Sequence, residues 1–283
     1  MIVPAHGNEF VYPFSPIYDH NAHCYQNCLV LMFLCFETEG KIYPILFDYW
    51  VSEIYCDEDE QYLSKNDIFI KSIEYLVKEG LNIETILFDA AFFNKEILIN
   101  LSKFKINIVT RCAKSRVLEV NGIKRKVKEL YNDVYNGDFY YYHRYQSFLK
   151  SDFVKVFDLP GQIVGIANNK ENLIEKKLFF LFTTDLEISS AKILQLYKRR
   201  WKIESFFKLL KSYLSLSVFY RNGYDYVNEH ISLALAGFFI IQEMSSELKV
   251  SFYQALRLFQ EKNLDELFHK NFKITSKYFC SCV

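Results

Sequence analysis

The spacing of apolar positions changes along the chain, and each change marks an element. Tyr25 to Phe36 and Lys41 to Trp50 are apolar, aromatic-rich runs separated by Glu37-Thr38-Glu39-Gly40, which predicts two largely buried strands joined by a hairpin-like turn. From Ser64 to Glu79, Ile68, Ile70, Ile73, Leu76 and Val77 recur near helical spacing, with Ser64 placed to cap and Gly80 to stop a helix. Ile83 to Asp89 predicts a short strand ending in a carboxylate, Asn94 to Phe104 a second helix, and Ile106 to Arg111 another strand. The order so far is ββαβαβ.

From Cys112 to about Asp185 the helical period fades. Short runs at Phe139 to Tyr145, Phe153 to Phe157 and Ile163 to Ala167 sit between Gly, Pro and Asn breakers, the pattern of a β-rich insertion. Leu178 to Thr183 reads as a strand, Ser190 to about Ser212 as one long helix, and Asn228 to Leu248 as an apolar helix before a mixed helical tail. The chain shows no internal repeat and no low-complexity segment.

Composition narrows the class. With 283 residues, 51% hydrophobic and 18% aromatic, the chain has the apolar surface for one large or two small packed domains, which excludes a disordered protein. Its 34 basic and 34 acidic residues balance, but they are segregated. Between Glu37 and Glu60 eight acids face the single base Lys41, whereas Lys103 to Lys128 holds nine bases against Glu119. The basic stretch suggests a polyanion surface, with a plain solvated face as the alternative. The longest apolar stretches, Leu29 to Phe36 and Ile231 to Ile241, fall short of the roughly 20 residues a membrane helix needs, so no membrane partner is expected. Met1 to Phe10 has no basic region followed by an apolar one, hence no secretion signal. Seven irregularly spaced cysteines read as reduced thiols of a cytosolic protein, and the terminal Cys280-Ser281-Cys282-Val283 lacks the aliphatic third position and polybasic neighbour of a prenylation tail.

The helix from Ser190 carries the chemistry. At about 100° per residue, Tyr197, Arg200, Glu204 and Lys211 fall within roughly 60° of one another, on one stripe. An ordinary i,i+4 pair of Arg200 with Glu204 on a solvated face is one reading. Against it, apolar residues fill most other directions of this helix, and Glu204 is its lone acid among seven bases.

These residues resemble the DDE transposases of bacterial insertion sequences, in the insertion-sequence-four-like family whose signature is Tyr, two residues, Arg, three residues, Glu, six residues, Lys. Tyr197, Arg200, Glu204 and Lys211 match that spacing without a gap. Thr184-Asp185, Arg200-Trp201 and Phe207-Lys208 also resemble the family's wording, as do Leu87-Phe88-Asp89-Ala90-Ala91-Phe92 around its second aspartate and Tyr18-Asp19-His20 upstream. The resemblance spans roughly Tyr18 to Ile241.

It implies an α/β fold: an RNase H-like mixed sheet flanked by helices, with a β-rich insertion before the last catalytic helix. The corresponding division is 1–111 for the first part of the core, 112–185 for the insertion, 186–245 for the closing helices with Glu204, and 246–283 for a helical tail. By the resemblance, the family's first aspartate, counted back about twenty residues from Asp19, would lie just before Met1, and Val11 to Ile17 cannot replace its strand because Pro13 and Pro16 remove ladder donors. Asp19 is a poor substitute, and the resemblance therefore implies a chain truncated at its amino end, a transposase impaired by loss of the first catalytic aspartate.

Further implications concern function. Asp89 and Glu204 would be the catalytic residues and the metal ligands, holding Mg2+, or Mn2+ in its place, as paired ions about 3.5 to 4 Å apart do in phosphoryl displacement. Tyr197, Arg200 and Lys211 would contact DNA phosphates, Arg as a fork and Lys as a point charge. Trp201 would stack on an extruded base, or else pack beside Ile193 and Leu194. The partners implied are double-stranded DNA, as transposon ends and target, and a second copy of the chain in a homodimer, in the bacterial cytoplasm at the nucleoid. A catalytically inactive DNA-binding remnant is the alternative. His20, His23, Cys24 and Cys28 could be taken for a zinc site, but they run into an apolar strand rather than forming two separated pairs. For Asp89, the ordinary alternative is to cap the next helix or pair with a neighbouring base.

Overall fold

The computed structural model describes residues 1–4, 14–19, 23–56, 62–132, 134–216 and 223–261. The strands are β1 (Ile2–Pro4), β2 (Ser15–Asp19), β3 (Cys24–Thr38), β4 (Lys41–Trp50), β5 (Thr85–Phe88), β6 (Asn107–Cys112), β7 (Val117–Val120), β8 (Ile123–Lys126), β9 (Tyr140–Tyr142), β10 (Ser147–Val156), β11 (Leu159–Ala167) and β12 (Phe179–Thr183). The helices are α1 (Lys65–Lys78), α2 (Lys95–Lys103), α3 (Val127–Leu130), α4 (Lys170–Ile174), α5 (Ser190–Arg199), α6 (Trp201–Tyr213), α7 (Tyr224–Glu247) and α8 (Phe252–Glu261). They fall into two compact units. One takes Leu31–Leu34 and Leu46–Ser205; the other takes Met1–Val30, Cys35–Ile45 and the described residues from Phe206 onward.

The larger unit is built on an eight-stranded sheet in the order β5-β6-β12-β11-β10-β7-β8, with β9 also on β10. β5 and β6 are parallel and the other neighbours antiparallel, so the sheet is mixed. Side chains alternate between its faces with the period of two that strands impose. Ile108, Phe180, Phe182 and Ile163 meet Phe69 and Ile73 of α1 and Ile97, Leu98 and Leu101 of α2 on one face. Val109, Leu181, Val164 and Ile166 meet Ile193 and Leu194 of α5 on the other. The expected α/β architecture, a mixed sheet flanked by helices, is therefore what the chain adopts. Gly165 in β11 makes room for the buried ring of Tyr131: a Cβ there would stand 2.9 Å from it.

Local signals explain the ends of these helices. The Ser64 side chain accepts from the Asp67 backbone while the Asp67 carboxylate accepts from the Ser64 N–H, a reciprocal capping box at the start of α1. Gly80, at φ +81°, follows its last turn. Asn94 caps α2 by accepting from the Ile97 N–H. The β3–β4 turn passes through Glu39 and Gly40 at φ 50° and 87°, the left-handed pair that suits a two-residue hairpin.

The smaller unit holds β1 and β2 on β3, which also pairs with β4. Within it Lys41 pairs with Glu243 at 3.2 Å, Tyr43 stacks on Phe239, and the Gln242 side chain donates to the Ile42 carbonyl, so α7 lies against β4. The buried side of α7 is Val227, Ile231, Ala234, Phe238, Ile241 and Met244, at three- and four-residue intervals. No single helix of the described residues is long and apolar enough to cross a membrane; α7 and α8 pass such a test only as a pair bent by 108°.

Three expectations need correction. Ser15–Asp19 is a strand despite Pro16, which it tolerates because among the described residues β2 pairs on one side only, with β3; Val11 to Pro13 lie outside the described residues. The long helix from Ser190 is two helices. The ladder tightens around Arg200, whose N–H donates to the Tyr197 carbonyl and whose carbonyl accepts from the Ile203 N–H, three residues away in both cases. Third, β10 and β11 form a long hairpin of which the sequence marked only the apolar fragments, because Lys150 and Asp152 interrupt the pattern on one face of β10 and Lys155 on the other. Residues 262–283 of the expected tail lie outside the described residues.

Candidate active site

Asp89 follows the last residue of β5, where parallel pairing with β6 fixes the strand end. The buried Thr110 hydroxyl donates to the Phe88 carbonyl at 3.0 Å, which ties the backbone just before Asp89 to β6. The Asp89 carboxylate makes no cap hydrogen bond to the 3-10 turn Ala90–Phe92, and Asn94 does the capping of α2. A capping role for Asp89 is thus excluded.

Glu204 comes from the opposite direction in sequence. β12 ends at Thr183, whose hydroxyl accepts from the Asp185 N–H. The half-turn that follows is held by Gln162, a buried amide in β11 whose nitrogen donates to the carbonyls of Asp185 and Ile188 at 3.0 and 3.2 Å. Ser189 then caps α5, and burial of Ile193 and Leu194 seats that helix on the sheet. Thr110 and Gln162 are positioning residues that sequence reasoning missed. Their only signal is a polar residue inside an apolar strand, which also fits an exposed face.

The two routes meet at Arg200. Its Nη1 lies 3.1 Å from Asp89 Oδ2 and 3.2 Å from Glu204 Oε1, so one nitrogen is shared by two carboxylates 115 positions apart in the chain. The Arg200 side chain is 12% exposed, whereas Asp89 and Glu204 are 53% and 45% exposed. The carboxylates thus face solvent while the cation between them is largely enclosed. Burial works against the guanidinium charge, but Asp89 foremost, with Tyr197 and Glu204, outweighs it and raises the Arg200 pKa above its ordinary value. The Tyr197 ring lies 5.5 Å from the guanidinium carbon; burial raises its phenol pKa, with Arg200 opposing and Asp89 adding to the shift. Arg200 Nε is buried and has no hydrogen-bond partner among the described residues.

Of the residues singled out from sequence, Asp89, Tyr197, Arg200 and Glu204 come together in one unit. Trp201 is 67% exposed, which excludes its packing beside Ile193 and Leu194. Lys211 belongs to the other unit, where its ammonium donates to the Ile2 carbonyl and burial lowers its pKa. Among the described residues no group of three His, Cys, Asp or Glu side chains could hold a metal ion. His20 and the Asp19 side chain lie outside the described residues, while Cys24 is exposed and Cys28 buried.

The arrangement has the chemistry of a cation site. Two hard oxygen donors, one just past a strand end and one in the first turn of a helix, converge on a shared positive charge and remain open to solvent. Comparison with protein families gives the class. A family model described as a transposase DDE domain matches residues 66–237. A solved structure of the piggyBac transposase synaptic complex with hairpin DNA is similar over 86% of this chain and 47% of that one, at 15% identity and a TM-score of 0.49. The chain therefore spans about half the length of that protein. No curated protein matches this sequence.

Proposed function

This chain belongs to the family of proteins built on a transposase DDE domain, and from that premise we propose that it cleaves DNA and transfers the freed strand using divalent ions held by Asp89 and Glu204. The observation that carries the proposal is the sharing of Arg200 Nη1 by both carboxylates, since groups that converge on one cation can converge on another. Their oxygens suit Mg2+, which takes few protein ligands and keeps several waters, and Mn2+ in its place. Bound there, such an ion supplies charge stabilisation to the attacking and leaving oxygens of an in-line phosphoryl displacement.

The chain's own side chains divide the remaining work. Arg200 forks onto phosphate oxygens, Tyr197 offers a hydroxyl, and exposed Trp201 stacks on an unpaired base, while Lys211, on the other unit, is assigned a phosphate contact of its own. We assign the mixed sheet to an RNase H-like core, the Tyr197-Arg200-Glu204-Lys211 spacing to the insertion-sequence-four-like branch, and the substrate to the ends and target of a bacterial insertion sequence at the nucleoid, bound by a homodimer.

A second reading follows from the carboxylate count: with two acids converging among the described residues, the chain is a DNA-binding protein without strand-transfer activity. One assay decides. Strand cleavage and transfer on a duplex carrying the insertion-sequence end are measured with Mg2+ or Mn2+. Activity that disappears in Glu204→Gln while DNA binding persists supports the enzyme; DNA binding with no cleavage at either ion supports the second reading; neither binding nor cleavage sinks both.

A further inference from the structure

We propose that Arg200 is the resident counter-ion of the metal carboxylates, and that DNA phosphate and metal ion enter the site together by drawing the guanidinium away from Asp89 and Glu204. The inference rests on the reading of those two acids as metal ligands and deepens it.

Four observations point this way. The same nitrogen, Nη1, touches both carboxylates, so the guanidinium lies where an ion bridging them must bind. The two events compete, because a divalent ion and a guanidinium cannot share the same oxygens without close like-charge contact. Next, the Arg200 side chain is 12% exposed and is flanked by the Tyr197 ring, which holds it near the acids rather than letting it drift in solvent as a surface arginine does. Third, its Nε is buried without a partner among the described residues, so the present arrangement leaves a donor unused. A phosphate oxygen pair accepts from an arginine fork in bidentate fashion, so moving to phosphate satisfies that donor. Finally, the carboxylates are about half exposed, so an ion can reach them without opening the core.

A consequence is thermodynamic coupling. If phosphate binding removes the competitor from the carboxylates, DNA must tighten metal binding, and by linkage metal must tighten DNA binding by the same factor. Free chain is thereby kept from loading metal at full strength, and its acids are neutralised until substrate arrives.

The test is Mn2+ binding, followed by electron paramagnetic resonance of free Mn2+, to the full chain with and without an oligonucleotide duplex, in the unmutated protein, Arg200→Gln and Arg111→Gln. Arg111 is exposed and its charge is felt at Tyr197, so its loss reports the general field without touching the acids. Arg200→Gln should bind Mn2+ at least about tenfold more tightly than the unmutated chain in the absence of DNA, and duplex should tighten Mn2+ about tenfold in the unmutated chain but not in Arg200→Gln. Arg111→Gln should leave both values within about threefold, as expected for a screened neighbouring charge. Equal effects of Arg111→Gln and Arg200→Gln, or undiminished DNA coupling in Arg200→Gln, overturn the exchange and leave the metal site standing. Mn2+ binding in Arg200→Gln that ignores an added Asp89→Asn overturns the metal site itself. Should Arg200→Gln fail to fold, the nitrogen-15 resonance of the Arg200 guanidinium in the unmutated chain serves instead: it shifts on adding duplex with Mg2+ if the exchange occurs, and stays fixed if it does not.

Discussion

Two cationic regions of the larger unit meet opposite fates. The β7–β8 hairpin closes one end of the sheet, and Lys124, Arg125 and Lys126 are all exposed there, with Lys124 opposite Glu119 across the hairpin. Arg200 is largely enclosed and engaged by two carboxylates. Both regions read as basic in sequence. Only the second is organised, because enclosure and partners, not charge count, decide whether a cation acts as a diffuse field or as a defined group. Arg116, from the same basic stretch as the hairpin, meets a third fate: its guanidinium donates to the Phe93 carbonyl and lies over the rings of Phe93 and Phe157.

The contrast is open to attack at each point. The largest effect belongs to the acids. Replacing either with its amide, Asp89→Asn or Glu204→Gln, should lower strand cleavage by about 10^3-fold or more, since a metal ligand contributes several kcal/mol to such a step and each 1.36 kcal/mol is tenfold. Retained activity in either variant breaks the distinction between the two regions. Next, neutralising Lys124, Arg125 and Lys126 together to Gln should leave cleavage chemistry intact and reduce the salt dependence of duplex binding: the slope of log affinity against log salt becomes shallower by about 2.7. An unchanged slope makes the hairpin an ordinary solvated edge. Arg116→Ala should cost about 1–3 kcal/mol of stability in denaturant unfolding, through a lost charge-assisted hydrogen bond and two ring contacts, with no change in that slope. The smallest effect on stability is expected of Trp201→Ala, below about 0.5 kcal/mol at this exposed position, while affinity for unpaired DNA ends falls by about 1–3 kcal/mol if the ring stacks on a base.

Legibility from sequence follows the same physics. Lys41–Trp50, the Ser64 cap and the Gly80 stop could be read because each depends on residues close together in the chain. The Arg200–Glu204 spacing was equally visible. What it could not convey is the third member, since Asp89 reaches Arg200 only after β5 and β6 pair and α5 seats on the sheet. The tightening of the ladder at Arg200 has no residue signature, because neither Gly nor Pro causes it. Pro16 misled because a proline excludes a central position but not an outer strand, and sequence alone does not say which strand is outermost. For Trp201 only the packing alternative fails, because its neighbours in α6 leave this direction open.

The account stands or falls on Asp89 and Glu204 gripping one ion, and its most direct test is an anomalous difference map from crystals of the DNA-bound chain grown with Mn2+. It predicts a peak within about 2.2 Å of an oxygen from each carboxylate, the distance expected of a hard divalent ion, with the Arg200 guanidinium displaced onto phosphate. Mn2+ bound elsewhere, with Arg200 still bridging the two acids, would contradict it.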